Sequence, residues 1–144
     1  MLQAMNTGHD GSITTVHSNS PRDTLRRIET MTMMSGFDLP VQVIREQMSS
    51  GIDAIVHISR MRDGSRRVTH VTEVQGMEGE IVTLQDVFLF DSQGVDADGK
   101  ILGDLKPTGI RPKFSDKLAD HGIKLNPAMF DPGGGMFDRN GGAA

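Results

Sequence analysis

No cysteine occurs anywhere in the chain. That excludes a disulfide framework and any cysteine-ligated zinc or iron–sulfur centre, and it suits a reducing compartment. Long apolar runs are missing too. The most apolar short stretch, Val87-Phe88-Leu89-Phe90, falls far below the roughly 20 residues of a membrane helix. The opening residues, Met1-Leu2-Gln3-Ala4-Met5-Asn6, lack the positive patch and apolar stretch of a secretory leader. Nor is there an excess of basic charge. The formal net charge over 144 residues is -4, so no global field draws nucleic acid or anionic lipid, and such contacts have to be local. These absences predict a soluble chain, peripheral at most. Charged residues at 24% and apolar residues at 36% fit one modest domain with a core rather than a disordered chain.

The pattern along the chain is mixed. Met1 to Thr7 reads as the end of a helix stopped by Gly8, so the chain is expected to be part of a longer protein, with Met1 an internal methionine. The β-branched run 12–17 predicts a short strand. Ser20-Pro21-Arg22-Asp23 starts a helix: Ser20 caps it, Pro21 suits the first turn and Asp23 meets the positive end of the dipole. Leu25, Ile28 and Met31 recur at helical spacing up to Gly36. A second helix opens at Asp38-Leu39-Pro40, carries Val41, Ile44 and Met48, and ends at Gly51. Three strands are predicted next. In 52–60, Ile52, Ala54, Val56 and Ile58 alternate; 66–75 includes Val68, Val71 and Val74; in 80–91, Val82, Leu84, Phe88 and Phe90 share one parity. Asp63-Gly64 and Glu78-Gly79 supply the hairpin turns. A polar loop over 92–99, a strand over 100–105 and a small helix from Ser115 to His121, stopped by Gly122, complete the ordered part. From Asp131 the glycine-rich composition predicts a disordered tail.

The densest set of chemically able residues is Gly8-His9-Asp10-Gly11-Ser12, followed by Thr15, His17 and Asn19. The glycines let backbone approach a ligand closely, and Thr15 and His17 share one face of the predicted strand. By residue type alone, a plain glycine-punctuated loop with two surface histidines explains them as well. A catalytic metal held by His9, Asp10 and His17 lacks a further Glu or His at a familiar spacing. A hydrolase triad has no nucleophile beside Asp10.

The string from Thr7 to Ser20 closely resembles the histidine box of type II and type IV secretion ATPases. Pro21-Arg22-Asp23, Arg26-Arg27-Ile28-Glu29-Thr30-Met31, Gly76-Met77-Glu78-Gly79, Thr83-Leu84-Gln85-Asp86 and the run from Thr108 to Phe114 resemble the branch that drives tight-adherence (Flp-type) pilus assembly. The resemblance covers Met1 to about Phe130. It implies an α/β fold: the C-terminal portion of a RecA-like ATPase domain over residues 1–51, an antiparallel β meander and helical segment over 52–130, and the tail over 131–144. It implies that His9 and His17 face the terminal phosphate of the nucleotide, supported by Gly8, Gly11, Thr15 and Asn19. It also implies ATP and magnesium in the full-length family, a homohexameric ring, inner-membrane platform proteins as partners, no nucleic acid, and a cytoplasmic place or one peripheral at the inner membrane. The chain departs from the family's pattern: the apolar strand ending in acidic residues that positions magnesium there, and the N-terminal domain that supplies arginines, are not found in it. The phosphate-binding loop G-x-x-x-x-G-K-[ST] is missing, since Gly99-Lys100 runs on to Ile101 where the loop needs Ser or Thr. The family is an ATPase, but this chain by itself is expected not to hydrolyse ATP. The competing reading is a non-catalytic interaction module from a truncated paralogue.

Other features read as structural. Asp96-Ala97-Asp98-Gly99 echoes a calcium loop, but Gly94 and Leu105 stand where acids are needed, so it reads as a hairpin turn. Arg60, Arg62, Arg66 and Arg67 flank the Asp63-Gly64 turn and read as a solvated tip, with anionic lipid or an acidic partner as the alternative. Of Met31, Met33 and Met34, at least two are expected in the core. His57, His70 and His121 are expected to be structural or surface histidines.

Overall fold

In the computed structural model, residues 11–36 and 38–133 are described. The expected helix end over 1–7, Gly8, His9, Asp10 and nearly all of the glycine-rich tail lie outside them.

The first helix, α1 (Pro21–Met34), starts as its sequence dictates. Ser20 Oγ accepts from Asp23 N at 3.1 Å, with Pro21 in the first turn. A second, α2 (Val41–Gly51), follows. Leu25 and Ile28 of α1 meet Ile44 and Met48 of α2 over one face of the sheet, where Ile55, Val74 and Val82 complete the core. Ile44 and Met48 are essentially fully buried, and burial of such side chains is worth about 1.5–3 kcal/mol each. Arg45 ties the parts together. Its Nε and Nη2 donate to both carboxylate oxygens of Glu29 on α1 at 2.9 and 3.2 Å, and Nη1 donates to the Glu80 carbonyl at 3.0 Å. Two charge-assisted bonds on one carboxylate fix geometry as well as adding energy.

The strands are β1 (Ala54–Arg60), β2 (Arg66–Glu78), β3 (Ile81–Val95) and β4 (Ile101–Pro107). They form one antiparallel sheet in the order β1-β2-β3-β4, so the expected α/β class and the meander hold. The turns are those expected. Gly64 (φ +83°) closes the first and Gly79 (φ +61°) the second. At Asp96-Ala97-Asp98-Gly99 the chain makes a hairpin turn, with Gly99 N donating to the Asp96 carbonyl at 3.0 Å. The polar loop expected over 92–99 is shorter, because β3 runs on to Val95. The α3 helix (Phe114–Asp120) and a 3-10 turn (Pro127–Phe130) follow.

Four expectations are corrected. Residues 12–17 form no strand: a β-branched run needs a ladder partner, and no described strand pairs with it. Ile13 is 97% exposed, and only Val16 touches the core. In β1 the parity is reversed. Ile55 and His57 face the core, while Val56 and Ile58 face away. Apolar residues stand on both faces of this strand, so alternation alone cannot choose between them. In β3, Val82 and Leu84 lie on the core side, but the register slips between Val71/Thr72 and their partners Phe88 and Asp86. The extra residue, Val87, is fully buried, and Phe88 and Phe90 fall on the other face. Finally, Met31, Met33 and Met34 are all exposed. The buried residues of α1 all lie between Pro21 and Ile28, so its second half leaves the core.

Candidate functional site

The segment that carries the histidine-box resemblance is described from Gly11 onward. Gly11 has φ +90°, a conformation that glycine adopts without penalty. Thr15, His17 and Asn19 are exposed. The segment is held at its far end, where the Ser18 and Thr24 hydroxyls lie 2.6 Å apart and Ser20 caps α1. His17 therefore stands at the surface, with Thr15 and Asn19 beside it in the chain.

Gly11 and Ser12 also form one wall of a cavity of about 490 Å³. Its second wall is the junction from Ser50 to Ala54, between α2 and β1. Its third is α3 and the turn after it, including Phe114, Lys117, Leu118, His121 and Ile123. The volume lies in the range of small-molecule pockets, roughly 300–1,000 Å³. Of the described box residues, Gly11 and Ser12 reach this cavity; Thr15, His17 and Asn19 do not.

Three polar groups shape it. Lys117 Nζ lies 3.4 Å from each carboxylate oxygen of Asp53, bridging α3 to the α2–β1 junction. His121 Nδ1 donates to the Lys117 carbonyl at 2.9 Å, because a carbonyl can only accept. Behind the wall, Glu73 is 2% exposed. Its Oε1 accepts from the Phe114 backbone N–H at 3.0 Å, and its Oε2 accepts from Gln75 Nε2 at 3.3 Å. A buried carboxylate is costly unless it is bonded in this way, and here it anchors the start of α3. Sequence reasoning missed Glu73, because a glutamate inside a strand reads as an outward-facing polar residue. It also set His121 aside, since nothing in the chain announces the cavity.

Among the described residues, the cavity's lining offers no cradle for a nucleotide's phosphates. Ile52, Ala54, Phe114, Leu118 and Ile123 make its walls mainly apolar, and the Lys117 cation is turned to Asp53. No glycine-rich loop with a following lysine and hydroxyl residue is present to cradle phosphates. Among the described residues, no group of three or more metal-ligating side chains converges, and no helix is long and apolar enough to cross a membrane.

Comparison with known proteins adds an independent line. A family profile described as "Type II/IV secretion system protein" matches residues 1–97. The conjugal transfer protein TrbB of Rhizobium radiobacter is 40% identical over 76 residues, taking in 53% of this chain and 22% of the relative. The type IV secretion system protein VirB11 of Brucella suis is 36% identical over 70 residues, 46% of this chain and 19% of the relative. The matches thus span roughly a fifth of the length of these relatives.

Proposed function

The chain belongs to the type II/IV secretion system protein family, and we propose that it is the C-terminal portion of a secretion motor ATPase that couples ATP hydrolysis to protein or pilin export. The observation that carries this is the match over residues 1–97, which takes in the whole histidine-box segment and most of the sheet. In this reading, residues 1–51 end a RecA-like core and residues 52–130 are its β and helical extension. His9 and His17 then face the terminal phosphate of a nucleotide bound by the larger protein, with Gly8, Gly11, Thr15 and Asn19 shaping the backbone around it. The exposure of His17 fits a residue that meets something outside this chain. The finer assignment to tight-adherence pilus assembly rests on the strings after the box. The relatives above are named for conjugal transfer and type IV secretion. The larger protein would form a homohexamer, work with inner-membrane platform proteins, use ATP and magnesium, and act in the cytoplasm at the membrane face.

The test is a hybrid. The matching region of the Rhizobium TrbB protein is replaced by the corresponding residues of this chain, and ATP hydrolysis is measured for the hybrid and for residues 1–144 alone. Turnover in the hybrid and none in the chain alone is the expected result. A folded hybrid without turnover, or magnesium-dependent turnover by the chain alone, overturns the reading.

A further inference from the structure

Among the described residues, the outer edge of β1 is open. This strand ends the sheet order, and no described strand pairs with its far side. Open edges are commonly guarded by lysine, proline or an inward-pointing charge. From Ala54 to Ser59 there is none of these. Instead, Val56 and Ile58 are each 58% exposed, on the face turned away from α1 and α2. Ala54 shares that face by the strand's alternation and lines the cavity. An apolar track therefore runs along β1 from Ile58 to the cavity mouth.

At its other end the track meets unbalanced positive charge. Arg60 and Arg66 are directly opposite one another across β1 and β2, an arrangement in which like charges repel. Arg62 lies in the turn between them. All three are exposed, and none pairs with a carboxylate among the described residues. The acid closest in sequence, Asp63, is engaged elsewhere. Its Oδ1 accepts from Ser65 N and Oγ, and its Oδ2 accepts from Ile101 N at 2.8 Å.

We propose that this edge receives an extended segment of another protein, acidic where it passes the arginines and apolar where it lies along Val56 and Ile58. Backbone bonds to the open edge supply affinity, and alternate side chains supply selectivity. The arginines fix the register and speed the encounter. Every pair in this sheet is antiparallel, so the segment enters acid-first at the arginine end and brings its last apolar side chain to the cavity beside Ala54. A bilayer would meet the arginine tip but use neither the open edge nor the cavity. The proposal stands apart from the motor reading, because it uses neither histidine of the box and no nucleotide.

The experiment is fluorescence anisotropy on the full chain with two short synthetic peptides. One carries glutamates in its N-terminal half and alternates threonine with valine in the rest; its twin has lysines for the glutamates. The glutamate peptide is expected to bind at least about tenfold more tightly than its twin. The Arg60→Glu, Arg62→Glu, Arg66→Glu variant is expected to reverse that preference. The Val56→Ser, Ile58→Ser variant, which alters only exposed side chains, is expected to weaken the glutamate peptide about tenfold with an unchanged circular dichroism spectrum. The proposal is overturned if the glutamate peptide does not bind, if the twins bind equally, or if charge reversal leaves the preference unchanged. Binding confined to phosphatidylglycerol vesicles, or a dimer that the Val56→Ser, Ile58→Ser variant dissolves, overturns it as well.

Discussion

The segment from Gly11 to Ser20 and the helix-backed sheet from Pro21 to Pro107 are built in opposite ways. The segment carries the residues most suggestive of function, yet it has no regular structure before α1 and touches the core through Val16. The sheet holds fewer suggestive residues, but its strands pair throughout and it shares a dense core with α1 and α2. Folding energy and the residues proposed for function therefore sit in different parts of the chain. The first depends on buried area and satisfied backbone groups. The second depends on side chains that must stay available to something else.

The sharpest way to break that contrast is to weaken the core. Ile44→Ala empties a position with 0% exposure. It should cost about 2–5 kcal/mol, read as a lower urea midpoint with an unchanged slope. A loss below about 0.5 kcal/mol, the size of an ordinary surface substitution, would show that the two helices do not define the core.

Two glycines extend the comparison. A Cβ on Gly103 in β4 would lie 2.3 Å from the Asp91 carbonyl oxygen and 2.8 Å from Phe90 Cζ, at φ +153°. A Cβ on Gly11, at φ +90°, meets no atom of the described residues within 4 Å. Gly103→Ala should therefore destabilise by about 2–3 kcal/mol, through strain and a forced shift of β3. Gly11→Ala should cost less, about 1 kcal/mol, from backbone strain alone. Equal thermal shifts for the two variants would show that the box segment is as tightly held as the sheet.

Glu73 marks the boundary between scaffold and cavity. Glu73→Ala leaves the Phe114 amide without its partner, a loss of about 1–3 kcal/mol. Hydrogen exchange is the informative reading. Amides of α3 should exchange faster, while those of β2 and β3 keep their protection. Uniform acceleration across the sheet would mean that Glu73 supports the fold as a whole rather than the cavity wall.

The sequence revealed much of this and hid the rest for physical reasons. Ser20, Pro21 and Asp23 announced α1, because capping is local chemistry. Gly64 and Gly79 announced the hairpins for the same reason. The parity of β1 was not readable, since Ile55 competes with Val56 and Ile58 and only the helices above decide the face. The slip at Val87 was hidden because a bulge is set by the partner strand. The methionines at the end of α1 looked like core residues, and nothing local says where a neighbouring helix stops. For the site, the resemblance drew attention to the box. The cavity joins residues more than 60 positions apart, such as Asp53 and Lys117, so it had no linear signal.

A smaller effect is expected from acid. Three hydrogen bonds, led by the Ser65 hydroxyl and followed by the Ile101 and Ser65 amides, hold the Asp63 carboxyl at about 2, below its ordinary 3.8. A depressed carboxylate pKa stabilises the fold above its unfolded value, and that contribution is lost as pH falls towards the folded one. Asp63→Asn should thus be less stable than the parent at pH 6. The gap should close between about pH 4 and pH 2. A gap that stays constant across that window would mean that the charge on Asp63 does not hold the first hairpin turn to β4.

The smallest effect is the one that tests the contrast most directly. His17 is exposed, in a segment without regular structure, so His17→Ala should change the stability of this chain by no more than about 0.5 kcal/mol. In the TrbB hybrid the same substitution should lower ATP turnover substantially while leaving nucleotide affinity nearly intact, because a residue that faces the terminal phosphate acts on the reacting end rather than on the whole ligand. His70 is the control. It lies opposite His57 in the sheet, with ring centroids 5.7 Å apart, so His70→Ala should disturb packing and leave turnover unchanged. The two histidines then separate the two regions: one matters to chemistry and little to folding, the other to folding and little to chemistry. If His17→Ala left hybrid turnover untouched, the segment would be an ordinary surface loop, and its resemblance to the box would carry no catalytic meaning.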